Sequence, residues 1–178
     1  MQKEKIKKNR GFTLVETLVA ISIFTVSVIS LMSVLSNGIT GTKFANNKII
    51  AGYLAQEGIE YVRNIRDTNA LSKNNFNSFQ SKLESCNTEG DCGFNNTVPT
   101  TNNSFISKCN QINDCKLYIN NGSYINVASG EESGFTRTVW MDIKDNGKEV
   151  KIFSKVTWMQ GSGKYDVTLS ENLFNWIE

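Results

Sequence analysis

The chain has 178 residues, a net charge of +2, four cysteines, one proline and no histidine. That length allows one modest domain and a further segment. The absence of histidine excludes Ser-His-Asp and Cys-His nucleophilic machinery, and the weak basic balance gives no reason to expect a nucleic-acid partner.

The charge is placed unevenly. Lys3, Lys5, Lys7, Lys8 and Arg10 lie in the first 11 residues, with Glu4 as the one acid among them. The remainder carries 14 basic and 16 acidic residues, a net of about −2. From Phe12 to Leu35 there is no Lys, Arg, Asp, Pro or Gly, and Glu16 is the one charge. Those 24 residues span about 36 Å as an α-helix, enough for a hydrocarbon core of roughly 30 Å. A basic flank before such a helix keeps the N-terminus cytoplasmic and sends the rest outward.

Two ordinary explanations fit less well. A secretory signal peptide ends at a small-residue site, and Ser36-Asn37-Gly38 is a poor one. A plain signal anchor accounts for length and flank but not for Glu16, since a carboxylate at mid-membrane costs roughly 2.5–3.5 kcal/mol. With the chain cut between Gly11 and Phe12, Glu16 falls in the first helical turn, where the helix dipole favours it. There it lies within reach of the new α-amino group of Phe12.

The run Lys7-Lys8-Asn9-Arg10-Gly11, followed by Phe12, Thr13, Leu14, Val15 and Glu16, resembles the cleavage and methylation motif of type IV prepilins and pseudopilins. The resemblance implies a membrane-embedded aspartic prepilin peptidase that cuts after Gly11 and methylates Phe12. It also implies that Glu16 helps align subunits in a helical filament. Residues 54–67 are similar to the helix end of V-type minor pilins, and the C-terminal strands are loosely similar to a minor-pilin sheet.

The chain is expected to divide into a leader at 1–11, a membrane and filament-core helix at 12–35, and an amphipathic continuation at 36–66. A polar loop region with two cysteine pairs at 67–116 and an antiparallel sheet at 117–178 follow. Gly38 and Gly41 predict a softened or melted stretch, because glycine weakens a helix by up to about 1 kcal/mol relative to alanine. Phe44, Ala51, Leu54, Ala55, Gly58, Val62 and Ile65 then recur at three- and four-residue spacing, one apolar stripe. Glu60 and Arg63 are placed to pair. Phe76, Phe79 and Leu83 predict a short helix near 76–84.

Cys86, Cys92, Cys109 and Cys115 lie on the outward side, where an even count predicts disulfides. A four-cysteine zinc site is the rival, but its paired ligands usually stand two residues apart, and here five intervene. Of the three pairings, Cys86–Cys92 and Cys109–Cys115 are favoured, each closing a small polar loop. Crossed pairing stays open.

Asn121-Gly122 between two β-prone runs predicts a hairpin over 117–127. Alternation places Phe135, Arg137, Val139, Met141 and Ile143 on one strand face, and Val150, Ile152, Val156 and Trp158 on the next. Asp145-Asn146-Gly147 and Gly161-Ser162-Gly163 predict turns. The expected meander is 135–143, 149–159 and 164–170, with Leu173, Phe174, Trp176 and Ile177 tucked against it. Helix first and sheet after is an α+β layout, here pilin-like.

Other chemistry is thin. Asp142 to Gly147 superficially matches a calcium loop, but Lys144 stands at a ligand position and Phe153 where a bidentate Glu belongs. Gly161 to Lys164 shares letters with a phosphate loop but lies between strands. Asn95, Asn102 and Asn121 begin glycosylation triplets that an Asn-rich chain produces by chance. Trp140, Trp158 and Trp176 are expected to pack rather than line a sugar site. No catalytic residue, cofactor or metal is expected.

The resemblance thus implies a minor-pilin-like subunit of the cytoplasmic membrane, later part of a surface filament. Its expected partners are the prepilin peptidase, other pilin subunits, the assembly machinery and the membrane. A pseudopilin of a type II secretion or DNA-uptake system is the near alternative. A permanently anchored surface adhesin that keeps residues 1–11 is the alternative of another class.

Overall fold

The computed structural model describes residues 11–72, 76–90, 92–94, 106–111, 115–144 and 147–175. The chain divides into two units, Met1–Lys43 and Phe44–Glu178. One helix, α1 (Leu14–Leu71), contributes to both.

In the first unit α1 is apolar on every side, and its hydrophobic side chains are exposed. Among the described residues α1 is the one helix long and apolar enough to cross a membrane, and none of its most apolar stretch is buried within the protein. An apolar surface of that extent belongs in lipid or among other helices. The hydroxyls within it suit that setting. Thr17 donates to the Leu14 carbonyl at 2.8 Å, Ser22 to Leu18 at 2.8 Å, Thr25 to Ser22 at 2.9 Å, Ser27 to Ile23 at 2.8 Å and Ser30 to Val26 at 2.9 Å. Each is satisfied within its own helix, as a segment without water requires.

The expected melted stretch at Gly38–Gly41 is not there: α1 runs through it unbroken. Among the described residues, neither glycine has a foreign atom within 4 Å of where a Cβ would stand. The hydroxyls of Thr40 and Thr42 bond back to the carbonyls of Ser36 and Gly38 at 3.0 and 2.9 Å. Helix is already nucleated on both sides, so each glycine weakens only propagation.

In the second unit the stripe behaves as its spacing predicts. Ala51, Leu54, Ala55, Gly58, Val62 and Ile65 are buried, and Ile59 and Asn69 join them. They pack on an antiparallel sheet whose long strands are β5 (Glu131–Lys144), β6 (Glu149–Gln160) and β7 (Gly163–Phe174). β5 pairs β6 from Phe135↔Trp158 to Lys144↔Glu149. Phe135, Arg137, Val139 and Met141 face inward beside Val150, Ile152, Ser154, Val156 and Trp158. Ile143, at the strand's end, is exposed. The layout is α+β and pilin-like, a long apolar N-terminal helix with its later part packed on an antiparallel sheet.

The sheet is larger than the expected meander and hairpin. That hairpin forms as β3 (Lys116–Asn120) and β4 (Ser123–Ile125), turned by Asn121 and Gly122 at φ 49° and 79°. Positive φ at both central residues is what a type I′ turn demands. The cysteine-bearing region adds two more strands, β1 (Cys92–Phe94) and β2 (Ile106–Lys108). β1 and β3 share the edge of β5 opposite β6, at Cys92↔Val139 and Lys116↔Thr136. The short apolar run Cys92-Gly93-Phe94, buried throughout, carries that region into the core.

The last strand also runs further than expected. Rather than ending near 170, β7 continues to pair Leu173 with Val150 and Phe174 with Glu149. Leu173 is buried and Phe174 exposed, the alternation of a strand rather than a folded-back tail. Trp176 and Ile177, like Asp145 and Asn146 of the β5–β6 turn, lie outside the described residues. The short helix forms as α2 (Phe76–Leu83), burying Phe79 and Leu83.

Candidate processing and assembly site

Gly11, Phe12 and Thr13 precede the helix in non-helical backbone, and Leu14 is its first residue. Phe12 is 79% exposed. The Thr13 carbonyl accepts from the Thr17 amide at 3.2 Å, and its hydroxyl oxygen accepts from the Glu16 amide at 3.3 Å. Those two bonds make Thr13 the N-cap and place Glu16 three residues into the helix. Its carboxylate lies at the positive end of the helix dipole. Among the described residues it has no hydrogen-bond or ion-pair partner. Gly11, Phe12, Thr13 and Glu16 together line one shallow concavity. The first ten residues, with their five basic side chains, lie outside the described residues.

The four cysteines form two disulfides, Cys86–Cys92 and Cys109–Cys115. Cys86, Cys92 and Cys115 are completely buried. The Cys86 carbonyl accepts from the Met141 amide at 2.8 Å, so the first bridge joins the end of α2 to both β1 and β5. Among the described residues no group of three His, Cys, Asp or Glu side chains is arranged to hold a metal.

Of the other residues singled out from sequence, Trp158 is core, packed near Phe44, Phe135 and Tyr165. Trp140 stacks on Phe153 at 5.0 Å, its cross-strand partner. Asp142 pairs with Lys144 at 2.5 Å. Asn121 sits in the β3–β4 turn, and Asn95, Asn102 and Trp176 lie outside the described residues. Arg63 pairs with Glu60 at 2.7 Å and also reaches Glu171 on β7, which holds its guanidinium charged more firmly still.

Sequence reading put Arg137 on one strand face with apolar residues but gave it no partner. It is 1% exposed. Its guanidinium donates to Glu57 Oε2 at 2.5 Å, to the Leu54 carbonyl at 3.3 Å and to Asn126 Oδ1 at 3.3 Å. Its Cζ lies 3.9 Å from the centre of the Phe94 ring, which stacks on Tyr61 at 4.1 Å. Burial lowers the Arg137 pKa, and the Glu57 carboxylate works against that. Burial likewise pushes the Tyr61 phenol up to about 12, opposed by the Arg137 charge. The sequence held only half of the signal: an arginine among inward residues needs an acid within reach, but nothing local points to Glu57.

The family model for the prokaryotic N-terminal methylation motif matches residues 6–32. No curated protein and no solved structure matches the chain. The matched residues hold the Gly11–Phe12 junction, Glu16 and most of the apolar run, and lie ahead of a sheet domain held by two disulfides. The chain therefore carries the N-terminal methylation motif, the signature of type IV prepilins, at the head of an α+β fold of pilin-like layout.

Proposed function

We propose that this chain is the precursor of a type IV pilin-like filament subunit, of the minor-pilin kind. One observation carries the reading: the methylation motif opens a helix whose apolar side chains are exposed on every side. Residues 1–11 are the leader, cut by a prepilin peptidase between Gly11 and Phe12, with methylation of the new Phe12 amine. Residues 12–35 span the cytoplasmic membrane with the N-terminus inside, and later line the filament core. Residues 36–66 join that segment to the exterior domain. The role is structural rather than catalytic.

Transfer from membrane to filament is feasible because lipid and neighbouring apolar helices offer similar surroundings, so little hydrophobic free energy changes. Glu16 supplies register. A carboxylate taken from water is destabilising unless it meets a cation, and the Phe12 amine, on the same or a neighbouring subunit, is that cation.

The test is intact mass and N-terminal sequence of the protein from its native membrane. A mature chain that starts at N-methylated Phe12 is expected. Retention of residues 1–11 in cells with an active prepilin peptidase would overturn the reading in favour of a permanently anchored surface protein.

A further inference from the structure

We propose that Thr13 is a positioning residue for processing: its side chain caps α1 and so holds the Gly11–Phe12 bond outside the helix, where a peptidase can take it. The proposal rests on the cleavage reading above. Three contacts carry it: the Thr13 carbonyl accepts from the Thr17 amide at 3.2 Å and from the Glu16 amide at 3.1 Å, and the Thr13 hydroxyl accepts from the same Glu16 amide at 3.3 Å. They start the helix at Leu14 and leave Gly11, Phe12 and Thr13 in exposed, non-helical backbone. Peptidases act on chain free of regular structure. A helix begun one turn earlier would enclose the scissile bond in its first turn.

The sequence makes that competition real. The next residue upstream that can cap through its side chain is Asn9, and a start there would place Arg10, Gly11 and Phe12 in helix. Gly11 opposes the shift because glycine is a weak helix former. Thr13 opposes it by giving the Glu16 amide a second, side-chain acceptor at the downstream start. Substrate choice at this junction is then set in part by where the helix begins, as well as by the residues the peptidase touches.

The experiment follows conversion of precursor to mature chain by mass, in cells with active prepilin peptidase, for full-length wild type and four variants. Thr13→Ser and Thr13→Asn keep an oxygen that caps, and should be processed within about twofold of wild type. Thr13→Ala and Thr13→Val lose it and should slow roughly three- to tenfold, the range that loss of an N-cap corresponds to. Valine has the shape of threonine without the acceptor, so it separates capping from steric recognition. Membrane fractionation of each variant should show the same amount inserted. Wild-type rates for Thr13→Val, or loss with Ser and Asn as great as with Ala, would overturn the capping role while leaving the processing reading intact. An uncut wild-type chain would overturn both.

Discussion

Arg137 on β5 donates to Glu57 on α1 across the helix–sheet interface, Nη1 to Oε2 at 2.5 Å, with the arginine buried and the Glu57 side chain 41% exposed. The same guanidinium lies against Phe94 and reaches Asn126, so one side chain joins α1, β1, β5 and the segment after β4. Lysine cannot form that set, having neither the planar fork nor the face that stacks on a ring. Arg137→Lys should destabilise the folded chain by about 1–3 kcal/mol. Glu57→Ala should cost about 1–2 kcal/mol, less than a fully buried pair would, because water reaches Glu57. Urea unfolding followed by tryptophan fluorescence measures both. Equal stability of Arg137→Lys and wild type would show that the fork geometry does not matter.

Tyr61 makes stability depend on alkaline pH. Its folded pKa, about 12, lies above the ordinary phenol value of 10.0, so the folded state disfavours the phenolate. Well below pH 10 both states are neutral and the titration has no effect. As pH rises from 10 to 12 the unfolded chain ionises first, and stability falls by at most about 2 kcal/mol. Tyr61→Phe should lack this component. Unfolding curves for both proteins between pH 9 and 11.5, a range set by these pKa values, should converge at the lower end and diverge at the upper, with the variant the more stable. Parallel curves would refute the assignment.

Gly58 sets how closely α1 approaches the sheet. A Cβ there would overlap Ser154 Oγ and stand 3.0 Å from Ser154 Cβ. Gly58→Ala should therefore destabilise by about 1–3 kcal/mol, although alanine is the better helix former. Ser154 is buried, and among the described residues its hydroxyl has no hydrogen-bond partner. Ser154→Ala should be neutral or stabilise by up to about 1 kcal/mol. The double variant should regain part of the Gly58→Ala loss, since the Oγ overlap is gone while the Cβ approach remains. Thermal melts of the four proteins give the coupling directly, and strict additivity would place the strain elsewhere.

On the proposed reading, Glu16 serves assembly rather than folding. It is exposed in the first turn of α1, and among the described residues its carboxylate has no hydrogen-bond or ion-pair partner. Glu16→Ala should insert in the membrane and leave the melting temperature of the domain unchanged, yet give few filaments. Sheared-filament yield, normalised to membrane-inserted precursor, measures this. A normal yield would remove the register role assigned to the carboxylate.

Much of this protein was legible in one dimension, because the deciding interactions there are local. The apolar first part of α1 depends on a run of apolar residues, and the methylation motif on a few adjacent side chains. The amphipathic stripe and the Asn121-Gly122 turn depend on helical and strand periods that any short window displays. Tertiary structure decided what depends on partners far apart in sequence. Continuity of α1 through Gly38 and Gly41 reflects helix on both sides rather than local propensity. Entry of Cys92-Gly93-Phe94 into the sheet, and extension of β7 to Phe174, required strands to find free backbone groups on β5 and β6. The Arg137–Glu57 contact spans 80 residues, and no local pattern names which acid will meet a buried arginine. Burial creates that demand, and only the packed chain shows how it is met.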